Sequence, residues 1–509
     1  MKQYQLFELE FHGAEPEGSR AVIDMEAVFT WKSARTGEQK SKKVKGFYDG
    51  NHVYKVRFLP EEAGEYQWQV TGCFREEGCE NCEPAKEYDK GIIRANGIRF
   101  EYSDGTAFLP VGTTIYALAH QEEKQIAQTM ETLKTAPFNK VRHCVFPKYY
   151  EYNHNDPRLY AFEKDTDGNW DVNRPCFEFW KHLENVIFRL AAQGIQSDLI
   201  LFHPYDKWGF SILSMEQCRI YLDYLLRRLA AIPEIWWSMA NEFDLMYART
   251  MDEWYEIEEF IAANDPYHHL LSNHNCFSFY DFTRPNITHC CVQTTQLESA
   301  AMWLEKYQKP LIYDECCYEG NLPMSWGNLS GFEMANKFWQ ACVPGAYASH
   351  GEVFLDENEV LWWSKGGMLK GSSPERITFL KGILEELPGT LEPWKQKQWE
   401  LPDQGLMSKA PEDFFKKLYD GMPKEQQESM REKDGICCGH VGDQVFLEYF
   451  GRRCCGMVRW ILPEDHTYRI EMIDIWEMTR KVVYRGVKGK FAPVLPGKEG
   501  IALMAVAEF

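Results

Sequence analysis

The stretch IWWSMANEFDLM, Ile235 to Met246, sets an apolar run directly before Asn241 and Glu242. A carboxylate is costly to bury unless it is paired. A strand ending at a water-filled mouth reconciles the two halves of the segment. If it is one strand of a closed sheet, others of its kind must flank it.

From about residue 98 to 390, short apolar runs alternate with helical periodicity, the pattern of parallel βα units. The expected strands are FLPVGTT (108–114), NKVRHCVF (139–146), QSDLILFH (196–203), EIWWSMAN (234–241), HLLSNH (269–274), ITHCCVQ (287–293), PLIYDE (310–315) and GAYASH (345–350). Segments such as CFEFWKHLENVIFRLAAQG and MEQCRIYLDYLLRRLAAI lie between several of them, apolar at three-to-four spacing. Eight such units point to a (β/α)8 TIM barrel.

Before the barrel, AVFTW, VKGFYDGNHVYKVRFLP and GEYQWQVTG alternate with a period of two between turns. After a polar, Pro- and Lys-containing stretch, DQVFLEYF, GMVRWILP, TYRIEMIDIW and RKVVYRG return to that alternation. The expected organisation is a multidomain α/β chain: an N-terminal Ig-like β-sandwich (1–95), the barrel (96–392), a linker (393–430) and a C-terminal β-sandwich (431–509). A chain of 509 residues needs more than one core.

The formal net charge of −20 disfavours nucleic acid and anionic membrane surfaces as partners. No apolar leader opens MKQYQLFELEFHG and no transmembrane run follows, so the expected location is cytoplasmic. Sixteen cysteines, several in adjacent pairs, suit reduced, buried thiols. Cys73, Cys79 and Cys82 have partial metal-site spacing but no nearby fourth ligand.

In such a barrel catalytic residues come from the C-terminal ends of several strands. Strand four ends in Asn241-Glu242 and strand seven in Asp314-Glu315, so two glutamates can face one mouth. That pair suits glycoside hydrolysis, in which one carboxylic acid protonates the leaving oxygen and a carboxylate attacks the anomeric carbon. The acid needs a raised pKa, which apolar neighbours such as Trp236 and Trp237 can supply. Asn241 can donate to a sugar hydroxyl, and Arg142 near the end of strand two can keep a carboxylate ionised.

MANE, FNKVR, ILFH, NDPYHHLLSNH and KPLIYDE together resemble glycoside hydrolase clan A. Within it, CCYEGN after Glu315 and YASHGEVF resemble the apiosidase-like and cellulase-like glycosidases, and GFYDGNHVYKVRFLPEEAGEYQW resembles the small domain that commonly precedes such barrels. The C-terminal sandwich likewise resembles the one that follows them. The resemblance implies Glu242 as acid/base and Glu315 as nucleophile, with Asn241, Arg142 and His203 at their family positions. One departure stands out: many members carry His and Tyr on strand six to orient the nucleophile, where this strand ends in Gln293. Tyr318 or His274 is available to substitute. Glu319 and Glu352 are further acids near the mouth, open to binding substrate or to taking the role the resemblance implies for Glu315.

Histidines 120, 143, 203, 274 and 350 near strand ends raise a metal-dependent hydrolase as the alternative. Strand one lacks the two-histidine motif typical of such barrels, so hydrogen bonding to sugar is the simpler role, and neither metal nor cofactor is expected. Trp208, Trp326, Trp362 and Trp363 are candidates for a stacking wall or for core. A non-catalytic carbohydrate-binding barrel is disfavoured by the presence of both glutamates. The expectation is a metal-independent, retaining β-glycosidase acting on short oligosaccharides or small glycosides, its substrate site formed by Arg142, His203, Asn241, His274, Gln293, Tyr318, Glu319, Trp326, His350 and Glu352. For the sandwiches, bracing the barrel or forming a homo-oligomer contact is the simplest role.

Overall fold

A computed structural model describes residues 1–356, 360–397, 405–429 and 437–508. Its central sheet has eight parallel strands: β1 (Val111–Thr114), β2 (Lys140–Cys144), β3 (Gln196–Phe202), β4 (Ile235–Ala240), β5 (Leu271–Ser272), β6 (Cys290–Gln293), β7 (Leu311–Glu315) and β8 (Tyr347–His350). They pair in the order β5-β4-β3-β2-β1-β8-β7-β6. The remaining seam, between β5 and β6, is joined largely through side chains. Thr288 N–H donates to Leu271 O at 2.9 Å, Thr288 Oγ1 accepts from Leu271 N–H at 2.9 Å, and Ser272 Oγ donates to His289 O at 2.7 Å. The sheet is a TIM barrel, and each expected strand contains an observed one.

Helices α1 (Glu123–Leu133), α2 (Phe177–Ala191), α3 (Met215–Leu229) and α4 (Met251–Asn264) follow the first four strands. Capping boxes, Ser214 with Gln217 and Thr250 with Glu253, start α3 and α4. Among the described residues the fifth unit has no helix. Helices α5 (Ala300–Tyr307), α6 (Gly331–Cys342) and α7 (Ser373–Glu385) follow the last three strands.

The barrel interior carries a charged layer below its mouth. Lys140 Nζ donates to Asp198 (2.7 Å) and Asp314 (2.6 Å), which also accepts from Ser349 Oγ at 2.6 Å and Cys291 Sγ at 2.8 Å. These groups are fully buried, and burial without such pairing is prohibitive. The opposite end is plugged by a three-stranded antiparallel sheet, Ile93–Asn96, Arg99–Tyr102 and Ala107–Phe108. Its Phe100 ring packs 5.1 Å from Trp236 and 5.4 Å from Tyr347.

Two antiparallel sheets precede the plug, of three strands (Phe7–His12, Val53–Phe58, Phe47–Tyr48) and four (Gln39–Lys45, Met25–Lys32, Gly64–Gly72, Glu76–Cys82). Phe29 of one stacks on Phe58 of the other at 3.9 Å. None of the sixteen cysteines, all of them among the described residues, is in a disulfide. No helix among the described residues is long and apolar enough to cross a membrane.

The chain divides into two compact units. One comprises Met1–Thr294, Lys306–Gly331 and Tyr347–Ser372; the other comprises Thr295–Glu305, Phe332–Ala346 and Ser373–Phe509. In the second, a six-stranded antiparallel sheet packs Phe446, Trp460, Tyr468 and Leu503 into its core. The same unit holds most of α6, where Asn336 accepts from the Tyr449 hydroxyl at 2.6 Å. The stretch expected as linker falls partly outside the described residues, at 398–404 and 430. Its described part includes the short helices Phe414–Asp420 and Lys424–Ser429.

Candidate active site

Glu315 ends β7, and Glu242 stands two residues after the last residue of β4. Both are nearly buried, at 7% and 6% exposed. Glu242 adopts the left-handed backbone conformation, φ +53°, which costs a non-glycine residue about 1–3 kcal/mol. Three contacts hold it there. The Tyr205 hydroxyl donates to Oε2, Gln293 Nε2 donates to Oε1 at 3.2 Å, and the Glu242 backbone N–H donates to His274 Nδ1 at 3.4 Å.

That last bond assigns the His274 tautomer. With Nδ1 accepting, the ring proton sits on Nε2, which lies 4.0 Å from Glu315 Oε1. Burial, with the charge of Arg142, holds the ring's pKa well below the usual histidine value, so it stays neutral.

Glu315 Oε1 accepts from the Tyr116 hydroxyl and lies 3.5 Å from Arg142 Nη1. The same two donors reach Asn241 Oδ1, at 3.0 Å from the hydroxyl and 3.4 Å from Arg142 Nη2. A guanidinium beside that atom requires it to be the oxygen. The Asn241 amide nitrogen then donates to nothing among the described residues, and its two protons are available to a ligand. Burial and the neighbouring Glu242 charge push the Glu315 carboxyl up, while Arg142, Lys148 and the Tyr116 bond oppose the rise.

Lys148 lies between these two systems. Its ammonium sits over the rings of Tyr116 (3.2 Å), Tyr205 (4.3 Å) and Tyr150 (4.8 Å). It makes no ion pair among the described residues, and burial brings its pKa down to about 8. The Tyr318 hydroxyl faces Glu315 and Tyr116 without meeting hydrogen-bond geometry, and its ring joins Trp326 (5.8 Å) and Trp363 (5.6 Å) in an aromatic wall. Asp244, two residues after Glu242, accepts from the backbone N–H groups of Cys276, Phe277 and Ser278 at 2.6–2.8 Å. It thereby ties the loop after β4 to the loop after β5. Those loops carry Tyr247 and Phe277, 92% and 82% exposed.

Known proteins share this architecture. A model of the apiosidase-like catalytic domain matches residues 94–396, more than half of the chain. The chain belongs to the apiosidase-like family. Two domains of unknown function flank the match, DUF5060 over residues 1–72 and DUF5605 over 435–506. Along its full length the apiosidase-like chain is similar to a protein from Bacteroides vulgatus ATCC 8482 described provisionally as a glycoside hydrolase: 32% identity, TM-score 0.86, covering 100% of this chain and 99% of that one. A glycoside hydrolase family 5 protein from the same organism shares the fold at 14% identity and TM-score 0.60, over 83% of this chain and 94% of its own. No curated protein matches. The apiosidase-like chain is a glycosidase, and a carbohydrate is its substrate.

Not every residue expected at the apiosidase-like mouth gathers around the two glutamates. Arg142, Asn241, His274, Gln293 and Tyr318 do. His203 turns its Nε2 to the Phe146 carbonyl at 3.2 Å and supports the loop after β2. Gln293, at the end of β6, donates to Glu242. His350, Glu319 and Glu352 form a separate buried group. Trp362 is core, its indole N–H bonded to Thr113 Oγ1 at 2.8 Å, and Trp208 bonds Asp156 at 3.0 Å. The expectation that Trp236 and Trp237 desolvate the acid is wrong. Trp236 lies at the plugged end of the barrel, and the Trp237 indole bonds Asp265 at 2.9 Å, because both belong to the first half of β4. Strand-end reasoning does not reach Tyr116, Tyr205 or Lys148.

Proposed function

We propose that the chain is a retaining β-glycosidase in which Glu242 is the acid/base and Glu315 the nucleophile, acting on short oligosaccharides or small glycosides. The observation that supports this most is the division of donors. The cation nearest either carboxylate is Arg142, and it lies on Glu315. Arg142 and Tyr116 favour charge on Glu315, as an attacking carboxylate requires, and oppose the upward push of burial.

The reaction then follows in two steps. Glu242 gives its proton to the glycosidic oxygen as Glu315 attacks the anomeric carbon, expelling the leaving alcohol and forming a glycosyl ester. Glu242, now ionised, takes a proton from water, which attacks the same carbon and releases Glu315. In this reading the Asn241 amide nitrogen donates to the sugar hydroxyl beside the reacting carbon. None of these steps requires a metal. The family description makes an apioside one member of the substrate set to try.

The test is hydrolysis of aryl β-glycosides (glucoside, galactoside, mannoside, xyloside, apioside, glucuronide) by wild type, Glu242→Gln and Glu315→Gln, with the first-formed anomer read by NMR. Turnover of one member that collapses in both variants and releases the β-anomer is the expected result. Inversion, or activity untouched by either substitution, refutes the assignment.

A further inference from the structure

At the end of β8 and just beyond β7 and β8 the chain forms a second polar cluster that the proposed chemistry does not use. Glu319–Gly320 and Glu352–Val353 pair as a short parallel ladder with Glu319 opposite Glu352. Glu319, His350 and Glu352 are all buried, and one ligand atom from each lies within 4.8 Å of the other two. Both carboxylates bend toward one spot. A Cβ added to Gly371 would sit 2.4 Å from Glu319 Oε2 and 2.7 Å from Glu352 Oε2. His350 Nε2 is fully buried without a hydrogen-bond partner.

We propose that Glu319, His350 and Glu352 bind a divalent first-row transition ion. One imidazole nitrogen with two carboxylates suits zinc or manganese; calcium and magnesium prefer oxygen alone. A spacing of at most 4.8 Å between donor atoms is what ligands about 2.0–2.4 Å from a common ion require. The surroundings match those of ligating groups. Glu352 accepts from the backbone N–H groups of Lys370 (2.6 Å) and Gly371 (2.8 Å), and Glu319 from Ser372 N–H (2.7 Å). Such bonds orient a carboxylate while leaving lone pairs for an ion. On the histidine, Thr113 Oγ1 lies 3.3 Å from Nδ1 and can accept from it, freeing Nε2 as the ligand atom.

The ion would act on the active-site wall rather than in the reaction. Tyr318 directly precedes Glu319, and a Cβ added to Gly351 would lie 1.9 Å from the Tyr318 ring. Clamping Glu319 to His350 and Glu352 fixes the ring whose hydroxyl faces Glu315.

The full-length chain, stripped by chelator and dialysed, is titrated separately with Zn2+, Mn2+, Co2+ and Ca2+. The stoichiometry is read by elemental analysis, thermal unfolding follows each addition, and the visible spectrum reports on Co2+. Expected is one equivalent bound at micromolar Zn2+ or Mn2+ with a rise in Tm, and a Co2+ band from mixed nitrogen and oxygen coordination. That equivalent is lost, at least a hundredfold in Kd, in both His350→Gln and Glu352→Gln. Any zinc on surface cysteines stays unchanged in these variants and is subtracted. Equal stoichiometry in wild type and variants, no Co2+ band in wild type, or Ca2+ binding as tightly as Zn2+ overturns the proposal. The Co2+ spectrum needs no variant, so a misfolded substitution does not spare it.

Discussion

Asn241 and Glu315, at the ends of strands on opposite sides of the barrel, share the same two donors, the Tyr116 hydroxyl and the Arg142 guanidinium. The sharing couples the residue beside one glutamate to the other glutamate.

Tyr116→Phe removes one hydroxyl, whose single proton lies closer to Glu315 and which also neighbours Asn241. A hydrogen bond to a charged group contributes about 1.5–3 kcal/mol, so kcat/KM should fall roughly ten- to hundredfold. The loss should appear mainly in kcat if the bond to Glu315 matters most. A loss confined to KM would place the role of Tyr116 in orienting Asn241 toward the sugar.

The barrel is legible in the sequence because each strand carries its own apolar run and stops at a polar residue. Asn241-Glu242 and Asp314-Glu315 follow from that rule alone. The residues it misses sit beyond the stops: Tyr116 two positions after β1, Lys148 four after β2 and Tyr205 three after β3. Loops have no periodicity, and nothing in IYALAH or FPKYY shows where a side chain will turn. A tyrosine or lysine within five residues of a barrel strand's end is the only local signal, and it is a weak one. Trp236 fails for a related reason. Sequence places it near Glu242, but at about 3.3 Å per residue the strand carries it toward the plugged end. His203 stands at the right position and faces the wrong way, a distinction no one-dimensional pattern contains. The fifth unit, expected as a strand and helix like its neighbours, shows how a barrel can omit a helix when loop side chains close the seam.

Tyr247 and Phe277 expose large aromatic surfaces on two loops that Asp244 ties together. Exposed aromatic faces on loops beyond the strand ends can stack on sugar units beyond the reacting one. Replacing both with Ala should raise KM for oligosaccharides about tenfold and leave monosaccharyl aryl glycosides unchanged. Equal effects on both substrate classes would mean that these rings do not extend the site.

Lys148 gives a pH dependence with a definite sign. Its charge opposes the upward push on Glu315, so Lys148→Met lets that carboxyl rise further. The acid limb of kcat/KM should therefore move to higher pH. Stability responds over a different window. The lysine's folded pKa, about 8, lies below its unfolded value near 10.4, so between these pH values the unfolded chain holds a proton that the folded chain has released. Stability contributed by this group then rises with pH across that window, by up to about 3 kcal/mol. Denaturant titrations of wild type and Lys148→Met from pH 7 to 10.5 should converge on this difference in slope. Parallel curves would show that the ammonium is not desolvated.

Glu184 of α2 receives two arginines from different parts of the chain. Arg57, from the N-terminal sheets, donates to Oε1 at 2.6 Å and Oε2 at 3.2 Å; Arg228, from α3, donates to the same atoms at 2.5 and 3.1 Å. Asp49 takes a further bond from Arg228 at 2.7 Å, and the Phe47 ring lies 5.0 Å from both guanidiniums. All four charged groups are buried, so the cluster stands only while the charges balance. Glu184→Gln removes the carboxylate that both arginines share, leaving Arg57 with the partly exposed Glu8 at 2.8 Å and Arg228 with Asp49, and should cost about 3–5 kcal/mol. Exchanging Glu184 and Arg57 together for apolar residues should cost less than Glu184→Gln alone, because Arg228 then keeps Asp49 and Glu8 keeps Lys55 as balanced pairs. Unfolding measured by both near-UV signal and proteolysis at the N-terminal sheets distinguishes local detachment from global loss. If Glu184→Gln leaves both unchanged, the cluster does not anchor the N-terminal sheets to the barrel helices.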